Sequence, residues 1–354
     1  MTTISQSMAP GQLTAGRLPK VVVPALLAGA ALLGLAISLL VGGGNLALAA
    51  ALAYIIFLIA VEVSARIVEG ARQAADRRAT SMIVGAFVLA LLPLGSVTWE
   101  ALSKGAARFD LTFFTYSMRN VVGEGGGALH AITGTLWVTG MATLISVPIG
   151  LMTAVYLSEY GAKNRLAKAI TFFVDVMTGV PSIVAGLFAY ALMTLIIGPN
   201  TGFGFAGSVA LSVLMIPVVV RSSEELLRLV PNELREAAYA LGVPKWLTIT
   251  RVVIPTAISG IVSGVILAVA RVIGETAPLL VAAGFTASLN NNLFANPMMT
   301  LPVFVYDSYA HPGVDVQVYL DRAWAGALTL IAIVMLLNLI GRLVARRFAP
   351  KTGN

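Results

Sequence analysis

The sequence has no cysteine, which excludes disulfides, thiolate metal sites and cysteine nucleophiles. It holds only two histidines, His130 and His311, too few for a histidine-based metal centre. Charged residues make up 11% of the chain, about half the share of an ordinary soluble domain. HExxH, GxSxG and any Ser–His cluster are missing, so no hydrolase centre is expected. The phosphate loop GxxxxGK followed by Ser or Thr is missing too, so this chain does not itself cradle ATP. Gly202 to Gly207 spells GxGxxG, but these glycines lie between two apolar stretches rather than between a strand and a helix, which removes a dinucleotide reading.

What the chain has in abundance is apolar surface. Of 354 residues, 58% are hydrophobic, and the mean hydropathy is +0.90. The expectation is an all-α, polytopic integral membrane protein. Its net charge of +7 then belongs to loops, and no nucleic-acid partner is implied. A crossing needs roughly 20 apolar residues. Eight are expected: two between Lys20 and Glu62, divided at Gly42–Asn45, then 78–100, 130–159, 169–198, 202–221, 255–284 and 322–342. The first apolar segment, Val21–Val41, exceeds the hydrophobic stretch of a secretion signal and is read as a retained span. The polar segment Arg66–Ala79 reads as a joint, so residues 1–79 form a tail, a two-span hairpin and a linker. Residues 80–354 form a six-span core.

Lysine and arginine orient the bundle. With a cytoplasmic N-terminus, the outer loops hold only Lys104, Arg108, Arg119 and Arg322. Apart from Arg271, which lies within a span, every other basic residue, Lys163 and Lys351 among them, is on the inner side. Both termini are therefore expected in the cytoplasm. Pro93, Pro148, Pro181, Pro217 and Pro278 fall in five successive core spans, where each removes a backbone donor. Ordinary membrane-helix packing and a bundle of bent helices around a pathway both fit that pattern.

The inner segment 221–255 is the most informative. Pro231-Asn232-Glu233 is a helix start in which Asn232 can cap free amides. Leu234, Ala237, Ala238 and Leu241 recur at helical spacing, Gly242 is a natural stop, and Pro244 can open a second short helix. The result is a helix–glycine–helix elbow with an apolar stripe that a solvated loop would not need.

These residues carry a resemblance. Glu236-Ala237-Ala238, Gly242 and Val252-x-Ile254-Pro255 resemble the EAA-x3-G-x9-I-x-L-P signature of permease subunits of bacterial ABC importers, with Val and Ile replacing Ile and Leu. Gly179–Phe188 (GVPSIVAGLF) and Ala270–Leu280 (ARVIGETAPLL) are similar to segments of phosphate importer permeases of the PstA type, Ala277-Pro278 favouring that type over its PstC partner. The resemblance runs from about Ser81 to the C-terminus and leaves out the first two spans. It implies a type I permease fold in the inner membrane, with no cofactor and no catalytic or metal-binding residue. The implied partners are membrane lipid, a PstC-like second permease, a dimer of ATP-binding subunits and an extracytoplasmic phosphate-binding protein. In the family the EAA loop docks on the ATP-binding subunit, which assigns coupling to Glu236, Ala237, Ala238 and Gly242. A permease for sulfate or molybdate would share the EAA loop but not the GETAPLL segment. An ion-driven carrier would show inverted repeats and leave the elbow unexplained.

Arg271 and Glu275 are a pair of opposite charges inside one span, at i and i+4. Each costs about 2.5–3.5 kcal/mol at mid-membrane, so both should face a partner or a wet cavity. One reading is a self-neutralising pair that packs the helix. The other is a pathway in which Arg271 binds phosphate oxygens and Glu275 balances it; with Thr276 they match the family's RxxGET positions. Asp175, near the inner end of the fifth span, reads first as an interfacial aspartate and second as a further partner. The long polar segment from Phe285 to Asp321 is expected as an outer loop, and both a contact with the binding protein and a flexible connector fit it.

Overall fold

The computed structural model describes residues 16–161, 164–199 and 202–348. Lys163 and Lys351, used above to orient the chain, and Asn200-Thr201 in the expected fifth loop lie outside them. Among the described residues the structure is helical, without strands. Two compact units are present, one ending at Thr98 and the other starting at Trp99.

The first unit is built on a helical hairpin. α1 (Val22–Gly42) and α2 (Leu46–Val68) are joined by Gly43 and Gly44, both at positive φ (61° and 87°). Asn45 caps α2 by accepting from the amides of Ala47 and Leu48 at 2.9 and 3.3 Å. The two helices touch at Gly34, where a Cβ would fall 2.6 Å from the Ala49 carbonyl oxygen and the Ala53 nitrogen. Only glycine permits that approach.

The expected joint at Arg66–Ala79 is mostly helix. α3 runs from Ala71 to Gly105, and the chain turns at Gly70 (φ 90°) alone. Ala, Arg and Gln are good helix formers, so polarity there marks the end of the hydrocarbon layer and not the end of the helix. Arg77 holds both oxygens of Glu69 (2.5 and 2.7 Å), and the Leu18 amide adds a third bond at 2.7 Å. Together they keep the Glu69 carboxyl below the ordinary carboxylate range.

In the second unit, α5 (Leu129–Val155) and α8 (Gly204–Arg228) form the central pair, with Gly150 against Val219 and Gly207 against Val138. Leu211, Met215 and Val219 of α8 are fully buried in a core shared with Ala268, Leu279 and Phe304. α11 (Ile254–Val272) and α14 (Val316–Phe348) pack outside this pair.

Among the described residues seven helices are long and apolar enough to cross a membrane, and an eighth crossing is made if a bent pair counts as one. That pair corrects the expected fifth span: α6 (Arg165–Thr178) and α7 (Ser182–Ile197) meet at 110°. Its cause is Gly179-Val180-Pro181, where Pro181 cannot donate into α6 but can open α7. The expected seventh span is also interrupted, since α11 ends at Val272 and a short α12 covers Ala277–Ala282. Pro278 stands in the first turn of α12, so it and Pro181 start helices, whereas Pro93, Pro148 and Pro217 lie inside them. The expected outer loop 285–321 is corrected as well. It contains α13 (Leu301–Ala310), whose Leu301, Val303 and Phe304 are buried in the core.

Candidate functional site

The two helix interruptions face one another. A cavity of about 230 Å3 is lined by Met177 and Thr178 at the end of α6, Val180 and Ser182 at the first break, and Leu214, Pro217 and Val218 of α8. Arg271 and Glu275 complete it at the second break. The helices are drawn together by Gly186 of α7, whose Cβ would meet the backbone of Pro278 at 2.6 Å. Ser182 opens α7, so the positive end of that helix borders the cavity. Broken helices are tolerated at membrane depth only where their freed backbone lines a polar space or packs on protein.

Arg271 and Glu275 are brought to one cavity but not onto one helix. Arg271 is in the last turn of α11, and Glu275 follows in the turn, its amide donating to the Val272 carbonyl at 3.1 Å. The i,i+4 contact expected from spacing does not form, because the helix stops between them. Among the described residues neither side chain makes an ion pair or hydrogen bond. Thr276 is not among the cavity residues; its carbonyl accepts the Leu280 amide at 2.9 Å, and it precedes α12. Asp175 is committed elsewhere, paired with Arg221, which also reaches Glu224 at 3.2 Å.

The elbow forms at the other end of α11. α9 (Asn232–Ala240) ends in a left-handed turn at Gly242 (φ 75°). The Val243 amide returns to the Ala238 carbonyl (3.1 Å) and the Gly242 amide to Tyr239 (2.9 Å), a Schellman stop. Asn232 does not cap α9: Pro231 precedes it, and the Asn232 Oδ1 accepts from Arg235 instead. The second arm is no short helix either. Lys245 begins a helix, with a π turn at Ile249–Val253, that runs unbroken to Val272. Glu236, Ala237 and Gly242 are exposed and Ala238 is buried, while Leu234, Leu241 and Trp246 form an uncovered apolar face.

Arg235, counted from sequence only as loop charge, anchors this elbow. It pairs with Glu159 at 2.8 Å, in the π turn Tyr156–Tyr160 that follows α5, and donates to the carbonyls of Leu227 in the last turn of α8 and Val230 just past it (2.9 and 2.6 Å). Lys245 of the second arm donates to the Glu159 carbonyl and lies over the Tyr160 ring at 4.7 Å. Glu159 and Arg235 are 76 positions apart, so no local pattern could join them. Breaking a shielded pair leaves one charge without its partner and costs about 3 kcal/mol. Arg235→Ala should therefore lower the melting temperature and open the elbow to trypsin at Lys245; unchanged melting and cleavage would refute the anchor.

Arg322, expected in an outer loop, is fully buried at the start of α14. It donates to the Gly123 carbonyl and lies over Tyr319, while Arg108 donates to the Gly126 carbonyl at 3.0 Å. These arginines fold the glycine-rich segment between α4 (Leu111–Thr115) and α5 onto the bundle.

Residues 146–354 match the family described as binding-protein-dependent transport system inner membrane component. The chain is 47% identical over 271 residues to the phosphate transport system permease protein PstA 1 of Mycobacterium tuberculosis strain CDC 1551, covering 75% of this chain and 87% of that one. It is 38% identical over 285 residues to the PstA permease of Yersinia pestis, covering 79% and 92%. Among solved structures, an inward-facing MetNI methionine ABC transporter chain superposes with a TM-score of 0.50 at 20% identity, over 63% of this chain and 95% of that one. That last likeness concerns the fold alone.

Proposed function

The chain belongs to the binding-protein-dependent transport permeases, and among them to the PstA phosphate permeases; from that premise we propose how its residues serve phosphate import. It is a multi-pass inner-membrane subunit of an ATP-driven importer and carries half of the pathway. The observation that supports this most directly is the cavity between the two helix breaks, where Arg271, Glu275, Ser182 and the start of α7 converge. Arg271 offers a planar fork for two phosphate oxygens, and the positive end of α7 favours an anion. Glu275 accepts a hydrogen bond from the P–OH group of monoprotonated phosphate. Sulfate has no such proton, so a site that pairs Glu275 with a substrate hydroxyl disfavours it.

ATP hydrolysis resides on a separate subunit, which docks on the uncovered face of Leu234, Ala237, Leu241, Gly242 and Trp246, with Glu236 at its edge. The exposed side of Arg271 faces a second, PstC-like permease, which closes the pathway. A phosphate-binding protein docks at the opposite end, on the surface around Leu111, Tyr116 and Val122 or on the exposed remainder of 285–321 (Phe294, Tyr309). Both termini lie in the cytoplasm, as the basic residues argue.

Labelled phosphate uptake by cells deleted for this gene is the test. Restoration by the intact chain, with competition by arsenate and none by sulfate, is expected; uptake indifferent to the gene would refute the proposal. The absence of cysteine makes orientation directly measurable. A cysteine at Glu236 should react with an impermeant maleimide only in opened cells, and one at Asn291 in intact cells. The hairpin before Ala71 is proposed as an accessory outside the six-span core. Deleting it should reduce the amount of assembled complex severalfold and leave transport per complex within about twofold. A stable, fully assembled but inactive deletion would overturn that.

A further inference from the structure

A second cavity, of about 570 Å3, lies within the first unit, among the start of α1, the end of α2 and the start of α3. Its charges are not balanced internally. Arg77 and Glu69 are closed on one another by two hydrogen bonds and contribute little to a ligand. Arg17 and Lys20 also line it, are exposed, and make no ion pair or side-chain hydrogen bond among the described residues, although Arg17 feels the Glu69 charge. Asp76, the other lining acid, makes no side-chain hydrogen bond among them and interacts electrostatically with Arg77. Gln73, Thr80 and Ser81 add neutral donors on α3.

Its position is defined by what surrounds it. Lys20 stands just before the apolar run of α1, where Val21 is 75% exposed, and Ser81 just before Met82, Ile83 and Val84, all half-exposed or more. The cavity therefore sits where a hydrocarbon-facing surface gives way to charge, at the depth of phospholipid phosphates. Val23 and Val61 supply an apolar wall. A free phosphate ion would leave most of this volume empty and gain nothing from that wall, whereas a glycerophosphate uses both.

We propose that this cavity binds the phosphate-bearing headgroup of an anionic phospholipid. Arg17 and Lys20 pair with the phosphate, Gln73, Thr80 and Ser81 donate to its remaining oxygens, and the glycerol and first acyl carbons lie on Val23 and Val61. Basic pockets between helices at a membrane face suit such headgroups, and each cation contributes about a fivefold gain in affinity.

The full chain, purified in detergent and stripped of lipid, is titrated with phosphatidylglycerol, phosphatidylcholine or inorganic phosphate, and bound ligand is counted by native mass spectrometry. Phosphatidylglycerol should bind at least tenfold more tightly than phosphatidylcholine. Arg17→Gln with Lys20→Gln should weaken it roughly 25-fold, while Arg17→Lys should retain most of the affinity. Arg72→Gln removes the same charge at the same end, outside the cavity, and should change affinity less than twofold. Equal weakening by Arg72→Gln would reduce the effect to diffuse surface charge and overturn the site. Binding unaffected by the double substitution would overturn it too, as would saturation by inorganic phosphate with the same sensitivity to these residues.

Discussion

Arg271→Gln is expected to lower phosphate uptake about 100-fold while the chain still assembles with its ATP-binding subunits. The magnitude follows from two charge-assisted hydrogen bonds lost from one guanidinium, about 3 kcal/mol. Glutamine is shorter and uncharged but still polar, and among the described residues Arg271 makes no side-chain hydrogen bond or ion pair that the substitution would break. Folding and assembly should therefore survive. Arg271→Lys should recover only part of the rate, because an ammonium is a point charge without the planar fork. Glu275→Gln should narrow the preference between phosphate and sulfate more than it slows transport, since a carboxamide can donate to either anion. Uptake at the normal rate in Arg271→Gln, or a variant that fails to assemble, would leave the cavity as packing and not as pathway.

Gly242→Asp should abolish transport-stimulated ATPase and uptake while leaving the protein inserted. The position has φ 75°, and a Cβ there meets nothing within 4 Å, so no neighbouring group opposes the change and its cost is the backbone's own. Left-handed backbone costs a non-glycine residue about 1–2 kcal/mol, near the low end for aspartate, too little to unfold the chain. What it does is place a carboxylate on the uncovered face formed by Leu241 and Trp246, where a docked partner would desolvate it. Ala237→Asp tests the same face without the backbone cost. Stimulated ATPase at the normal level in both variants would make the elbow a plain connector. Retained basal ATPase in the purified complex separates lost coupling from lost subunits.

Much of this architecture is legible in the sequence because hydropathy and glycine act locally. The hairpin turn at Gly43-Gly44-Asn45 and the stop at Gly242 are both foreseen, and both rest on positive φ. Breaks inside apolar stretches are harder to see. Gly179-Val180-Pro181 and Ile273–Thr276 interrupt segments that each read as one apolar stretch, because a window of about 20 residues averages over the break. For the same reason α13 hides in a stretch that begins with Asn290-Asn291-Asn292, although Leu301, Val303 and Phe304 belong to the core. Charge placement fails differently. Arg322 counts as a loop residue by sequence and is fully buried by structure, because its acceptor, the Gly123 carbonyl, comes from 199 positions away. Arg235 with Glu159 is the same case. The GVPSIVAGLF and ARVIGETAPLL segments, similar to the family's each on its own, gain a shared reason once Gly186 is seen against Pro278.

The continuous helix from Lys245 to Val272, which passes through the π turn at Ile249–Val253, makes the elbow and Arg271 the two ends of one lever. At 1.5 Å per residue the lever is about 40 Å long. A tilt of roughly 5° at its elbow end carries the far end through about 3.5 Å on that length, more than the reach of a hydrogen bond. A guanidinium mounted there changes its oxygen partners without any change in its own rotamer. The compliance that such a stroke demands is already present, since the chain is interrupted immediately beyond Val272 and again across the cavity at Gly179-Val180-Pro181. On the proposed docking of the ATP-binding subunit at the elbow and of phosphate at Arg271, force generated outside the membrane would reach the anion as a displacement, with no relay of side chains in between.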